Sequence, residues 1–137
     1  ITRLTGIEPH ETAGQPLFGD MTSELSRLFD GAVFVAHNVG FDYGFFQAEF
    51  ARLGNRFAMD KLCTVRLSRA LFPHERTHKL DAVIARHGYR VANRHRAYDD
   101  AEVLHRFYHE QLERLGAAVF YPVAERLLQP TATRQFM

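Results

Sequence analysis

Three side chains concentrate the chemistry of this 137-residue chain: Asp42, His95 and Asp100. Asp42 lies within HNVGFDYGFF, His37 to Phe46, with Phe45 and Phe46 at i+3 and i+4. Asp100 lies within HRAYDDAEVL, followed by Val103, Leu104 and Phe107 at i+3, i+4 and i+7. Each is expected to open a helix after a loop and to share that helix's inward face. Negative charge is favoured in a first helical turn by the helix dipole. Burial is not, because an unpaired carboxylate on an apolar face either takes a proton or finds a partner. Capping or a salt bridge accounts for either residue alone. Two such helix starts at one sheet edge can converge their carboxylates, which repel each other unless a cation lies between them. Oxygen-only donors suit Mg²⁺ or Mn²⁺. His95 stands five residues before Asp100 in a basic loop, where a histidine can act as a general base near neutral pH. His10, His74, His78, His87, His105 and His109 read as surface or core fillers.

The elements that must position these residues follow from periodicity. The first twenty residues, with Gly6, Pro9, Gly14, Pro16 and Gly19, predict loop. Asp20 is a suitable N-cap for a helix whose apolar positions Met21, Leu25, Leu28 and Phe29 fall at i, i+4, i+7 and i+8. Asp30-Gly31 ends it. AVFVA, Ala32 to Ala36, reads as a strand buried on both faces. The turn His37 to Gly40 leads into a helix from about Phe41 to Leu53. A short strand is expected over Lys61 to Val65, then helices over Arg66 to Phe72, Lys79 to His87 and Tyr98 to Leu115, with a basic loop over Arg90 to Arg96. Strands alternating with helices predict an α/β domain over residues 1–115. Residues 116–137, with Pro122 and Pro130, read as a C-terminal tail or linker carrying a short helix around Val123 to Leu128.

Composition fits one ordinary globular domain, with 46% hydrophobic and 24% charged residues. The net charge of +1 argues against a large non-specific nucleic-acid surface but not against local grip on a few nucleotides. No apolar run is long enough to span a bilayer, so no membrane partner is expected. Cys63 is the single cysteine, which excludes an internal disulfide framework and a cysteine zinc cluster. A reducing, cytoplasmic setting is the simplest reading.

HNVGFDYGFF followed by HRAYDDAEVL resembles the second and third motifs of the DEDDh 3′–5′ exonucleases, the family of the ε subunit of bacterial DNA polymerase III. LTGI at Leu4 to Ile7, Cys63-Thr64 and LFP at Leu71 to Pro73 extend the resemblance over about Leu4 to Leu115. The family's third motif is His-x-x-x-x-Asp, which His95 and Asp100 satisfy. Asp99 would require a histidine where Arg94 stands, and the sister class would require a tyrosine where Arg96 stands.

The resemblance implies a ribonuclease H-like α/β fold, a mixed sheet flanked by helices. It implies a two-metal phosphodiesterase that removes nucleotides from single-stranded 3′ ends, DNA in preference to RNA, in proofreading or repair. Asp42 and Asp100 would hold Mg²⁺ or Mn²⁺, two ions in the complete site, and His95 would deprotonate the attacking water. His37 and Asn38 would touch the nucleotide or its phosphates. Phe41 would fill core in preference to packing on a terminal base. Arg96 or Arg94 would meet a backbone phosphate. A DNA polymerase subunit is a candidate partner.

The family's first motif, Asp-x-Glu on a first strand, is missing; the only Asp-x-Glu is Asp100-Ala-Glu102, within the third motif. The expectation is a fragment lacking its N-terminal strands and two metal ligands, inactive by itself. The alternative is a catalytically incomplete exonuclease-like domain that binds nucleic acid or a polymerase partner. An unrelated α/β domain whose carboxylates cap helices ranks behind both.

Overall fold

In the computed structural model, residues 2–132 are described. The order is α1 (Thr2–Thr5), α2 (Pro9–Thr12), α3 (Phe18–Phe29), β1 (Phe34–Ala36), α4 (Val39–Arg52), β2 (Lys61–Cys63), α5 (Thr64–Leu71), α6 (Leu80–His87), α7 (Ala97–Leu115) and α8 (Ala117–Leu127). β1 and β2 pair in parallel, with Val35 opposite Leu62. An antiparallel bridge joins Lys61 to Gln129 on the far side of β2. The architecture is α/β, as predicted, with a small sheet flanked by helices.

Two one-turn helices occupy the N-terminal stretch that was expected to be loop. α3 starts one turn earlier than predicted. Asp20 sits inside its first turn, where its carboxylate accepts the backbone N–H of Leu17 at 2.9 Å, so it caps from within rather than as N-cap. Gly88 closes α6 with φ +68°, a conformation that glycine adopts without a Cβ penalty.

Among the described residues the core has three centres, the smallest made by Ala36, Val39 and Cys63. Phe50, Phe57, Met59 and Tyr43 form the second, joined by Phe18, Phe29, Phe34 and Phe46. Tyr43, buried at the helix–strand junction, both donates to Met59 O and accepts from Met59 N. The third gathers Leu62, Leu67, Val83, Phe107, Phe120 and Ala124 from β2, α5, α6, α7 and α8.

Two expectations are corrected here. AVFVA is not buried on both faces: Val33 and Val35 are 40% and 39% exposed. Among the described residues β1 has one strand neighbour, β2, and Val35 looks onto an apolar groove beside Leu104 and Tyr108 of α7. The segment after Gly116 holds a longer and better-packed helix than the one expected at Val123 to Leu128. α8 begins at Ala117, passes through Pro122 and buries Phe120 completely. A proline inside a helix costs about 3 kcal/mol. Burying a Phe recovers about 1.5–3 kcal/mol, and Ala124, Val123 and Leu127 pack against the same cluster. The chain then returns along β2, where Thr131 N donates to Asp60 Oδ1 at 2.9 Å.

Candidate active site

β1 ends at Ala36, and the chain must reverse within His37 and Asn38 to start α4. Asn38 does this at φ +62°, the left-handed region that asparagine tolerates better than most residues. His37 is fixed at that turn by two bonds to distant segments. Its Nε2 donates to His78 O at 2.6 Å, and its Nδ1 lies 2.8 Å from the Thr64 hydroxyl, which donates to it. A carbonyl only accepts, so the proton sits on Nε2. Burial lowers the His37 pKa. The bond to the His78 carbonyl opposes that shift, while the charges of Arg94 and His78 add to it. The ring is thereby held neutral. Both ring nitrogens are spent within the protein, so His37 joins β1, α5 and the α5–α6 loop instead of reaching out to a ligand.

His78, placed among the fillers by the sequence, is a buried part of this network. Ser68 Oγ accepts from Arg86 Nη2 at 2.8 Å and is hydrogen-bonded to His78 Nδ1 at 2.7 Å. Thr64 and His78 escaped sequence reasoning because neither carries a local spacing cue.

The second half of the site is local. His95 adopts φ +73°, which turns its backbone N–H toward Asp100 Oδ1 at 3.3 Å. Asp100 Oδ2 accepts from Arg94 Nη1 at 2.5 Å, and Arg94 Nε donates to Asp81 Oδ1 at 2.7 Å. Arg94 thus ties the start of α7 to the start of α6. His95 itself is exposed.

A cleft of about 980 Å³ brings His37, Asn38, His95 and Asp100 together. Asp42, Phe41 and Arg96 do not line it. Asp42 was expected to face inward, yet it is exposed. The buried face of α4 is set by Val39, Tyr43 and Phe50, and Asp42 lies about 100° off Tyr43 around the helix. Apolar neighbours still strip water from its carboxyl and raise its pKa, against the opposing bond to its own backbone. Phe41 is 65% exposed and meets the Phe45 ring edge-on, centroids 5.0 Å apart; it does not fill core. Arg96 is turned to the N-terminal segment. Its Nε and Nη2 donate to Thr5 O and Gly6 O at 3.2 and 3.1 Å, and its Nη1 lies 3.9 Å from Glu11.

Among the described residues, no group of three or more His, Cys, Asp or Glu side chains is arranged to hold a metal ion. Asp100 already faces the Arg94 guanidinium, and Asp42 stands outside the cleft lining. Mg²⁺ requires near-octahedral oxygen coordination, commonly from one or two carboxylates together with substrate phosphates and waters. These two carboxylates do not by themselves make a two-metal centre.

Comparison with known proteins fits this geometry. A family model described as exonuclease (RNase_T) matches residues 1–108. The chain is 37% identical over 128 residues to the 3′-5′ exonuclease DinG of Bacillus subtilis, covering 93% of this chain and 14% of that protein. It is 32% identical over 125 residues to the PolC-type DNA polymerase III of Caldanaerobacter subterraneus, covering 91% of this chain and 9% of that protein. The chain therefore spans only a small part of the length of the relatives it matches. With the match spanning both His37 to Phe46 and His95 to Asp100, the chain belongs to the exonuclease family.

Proposed function

We propose that this chain is part of a metal-dependent 3′–5′ exonuclease that hydrolyses phosphodiester bonds at single-stranded 3′ ends of DNA, in proofreading or repair. The observation that carries the reading is the pairing of His95 with Asp100 at the cleft, the histidine's backbone N–H on the carboxylate of a residue five positions on. His95 takes the proton from the attacking water, and Asp100 fixes the backbone that presents it. The exposed imidazole has room to reach a substrate, as a general base must. Asn38, which lines the same cleft, contacts the terminal nucleotide.

The cofactor in this reading is Mg²⁺ or Mn²⁺, with Asp42 and Asp100 among the ligands. A complete site of this kind also takes carboxylates from an Asp-x-Glu strand, which these residues do not supply. Such a strand has a place to pair. The β1 edge away from β2 is open among the described residues, and the groove beside Val35 is apolar. That arrangement extends the sheet toward a ribonuclease H-like fold. The relatives named as DinG and PolC make a DNA substrate the first choice, and PolC makes a polymerase a fitting partner.

The test is release of nucleotides from a 5′-labelled single-stranded oligonucleotide by the full-length protein, with Mn²⁺ and with EDTA. Metal-dependent shortening from the 3′ end that falls by about 10²–10⁴ in His95→Ala supports the reading. A full-length protein that binds the oligonucleotide but never shortens it sinks the exonuclease.

A further inference from the structure

The cleft that holds His95 and Asp100 extends well past them, and its chemistry changes. Among the described residues, six cationic side chains line it, Lys61, Arg66, Arg69, Arg76, Lys79 and Arg94, against Asp100 as the one carboxylate. The whole chain carries a net charge of only +1, so this concentration is local. Arg94 is spent on Asp81 and Asp100. Lys61 Nζ rests 4.1 Å from the Tyr43 ring centroid. The other four are exposed, and among the described residues none has a carboxylate within ion-pair distance.

Their placement is ordered. Arg66 and Arg69 are three apart on α5 and so share one face, while Leu67 and Ser68 bury the other. Arg76 and Lys79 flank the segment whose His78 carbonyl is anchored by His37. Four unpaired cations spread along a helix and a loop suit an extended anion with repeating charge, not a single phosphate. No Phe, Tyr or Trp lines the cleft among the described residues. Base stacking is therefore not what this wall offers, and contact with a sugar-phosphate backbone is.

We infer that Arg66, Arg69, Arg76 and Lys79 form a phosphate track for single-stranded DNA on the 5′ side of the nucleotide presented to His95 and Asp100. This rests on the exonuclease reading: with the 3′-terminal nucleotide in the site, every remaining phosphate lies 5′ of it. Arg supplies paired donors to phosphate oxygens and Lys a point charge.

The experiment uses the full-length protein with Mn²⁺ and measures kcat/KM on a twelve-residue oligothymidylate and on the dinucleotide TpT, over a range of KCl. The dinucleotide has one phosphodiester and cannot occupy the track. In Arg66→Ala/Arg69→Ala, and separately in Arg76→Ala/Lys79→Ala, the twelve-mer to dinucleotide ratio falls about tenfold. The salt dependence on the twelve-mer flattens by about 0.7 per lost phosphate contact. A ratio and salt dependence equal to wild type in both variants overturns the track and leaves the exonuclease standing. A ratio that falls for oligouridylate in place of oligothymidylate overturns the assignment to DNA. Absence of metal-dependent hydrolysis by the wild type removes the exonuclease reading, and the track with it.

Discussion

Arg94 holds Asp100 by a 2.5 Å bond from Nη1 to Oδ2 while its Nε grips Asp81 at 2.7 Å. The carboxylate at the cleft is thus oriented from two sides, by the Arg94 guanidinium and by the backbone N–H of His95. Asp100→Asn keeps the shape and removes the charge. Exonuclease activity of the full-length protein is expected to fall by at least about 10²-fold, the scale of a lost acid–base or electrostatic contact in a site. Stability is expected to change by less than about 1 kcal/mol, because the Arg94–Asp100 pair is a quarter exposed and such pairs contribute little. Urea unfolding beside the activity assay separates the two effects. A large stability loss would recast Asp100 as a structural cap.

Phe120 offers a test of the region after Gly116. Its ring is fully buried against the α5–α7 core and meets Tyr108 edge-on with centroids 4.9 Å apart. Phe120→Ala is expected to cost about 3–5 kcal/mol, read as a drop in urea midpoint. A cost below about 1 kcal/mol would mean that α8 is an appendage, as residues 116–137 looked in sequence.

Local rules made most elements legible. α4, α5, α6 and α7 lie within a few residues of their expected ranges because their apolar spacing and their terminators, Gly88 and Gly116 among them, act within one or two turns. The His95–Asp100 relationship was legible for the same reason, since both partners sit in one short segment. The sequence groups Phe45 with the core and so turns Asp42 inward. The observed face runs through Val39, Tyr43 and Phe50, and Phe45 is 58% exposed. The His37 network was invisible because its partners are 27 and 41 residues away in sequence. α8 was underestimated because Pro122 signals a break locally, and only tertiary burial of Phe120 overrides it.

Arg96 separates a structural from a nucleic-acid role. Its guanidinium is committed to Thr5 O, Gly6 O and Glu11. Arg96→Ala is expected to release the segment around α1 and α2, seen as faster amide exchange or proteolysis near Thr5 to Glu11. The salt dependence of oligonucleotide hydrolysis should stay as in wild type. A flattened salt dependence with unchanged exchange would return Arg96 to the phosphate contact expected from sequence.

His37 makes the fold sensitive to acid. Its pKa in the folded protein is depressed below 6.5, mainly by burial, so the unfolded chain takes up the proton first. The stability linked to neutral His37 is fully present above about pH 6.5 and is lost as pH falls through the folded value. His37→Gln removes this titration. The glutamine amide can still donate to the His78 carbonyl, while the acceptor for Thr64 is lost, a cost of about 1 kcal/mol at neutral pH. Unfolding free energies measured from about pH 7.5 down to pH 5 should therefore fall more steeply for wild type than for His37→Gln. His87, whose pKa is also lowered by burial with Glu110 opposing, titrates in both proteins and cancels from the difference. Two parallel curves would show that His37 is protonated alike in the folded and unfolded chain, and that its bonds to Thr64 and His78 do not hold it neutral.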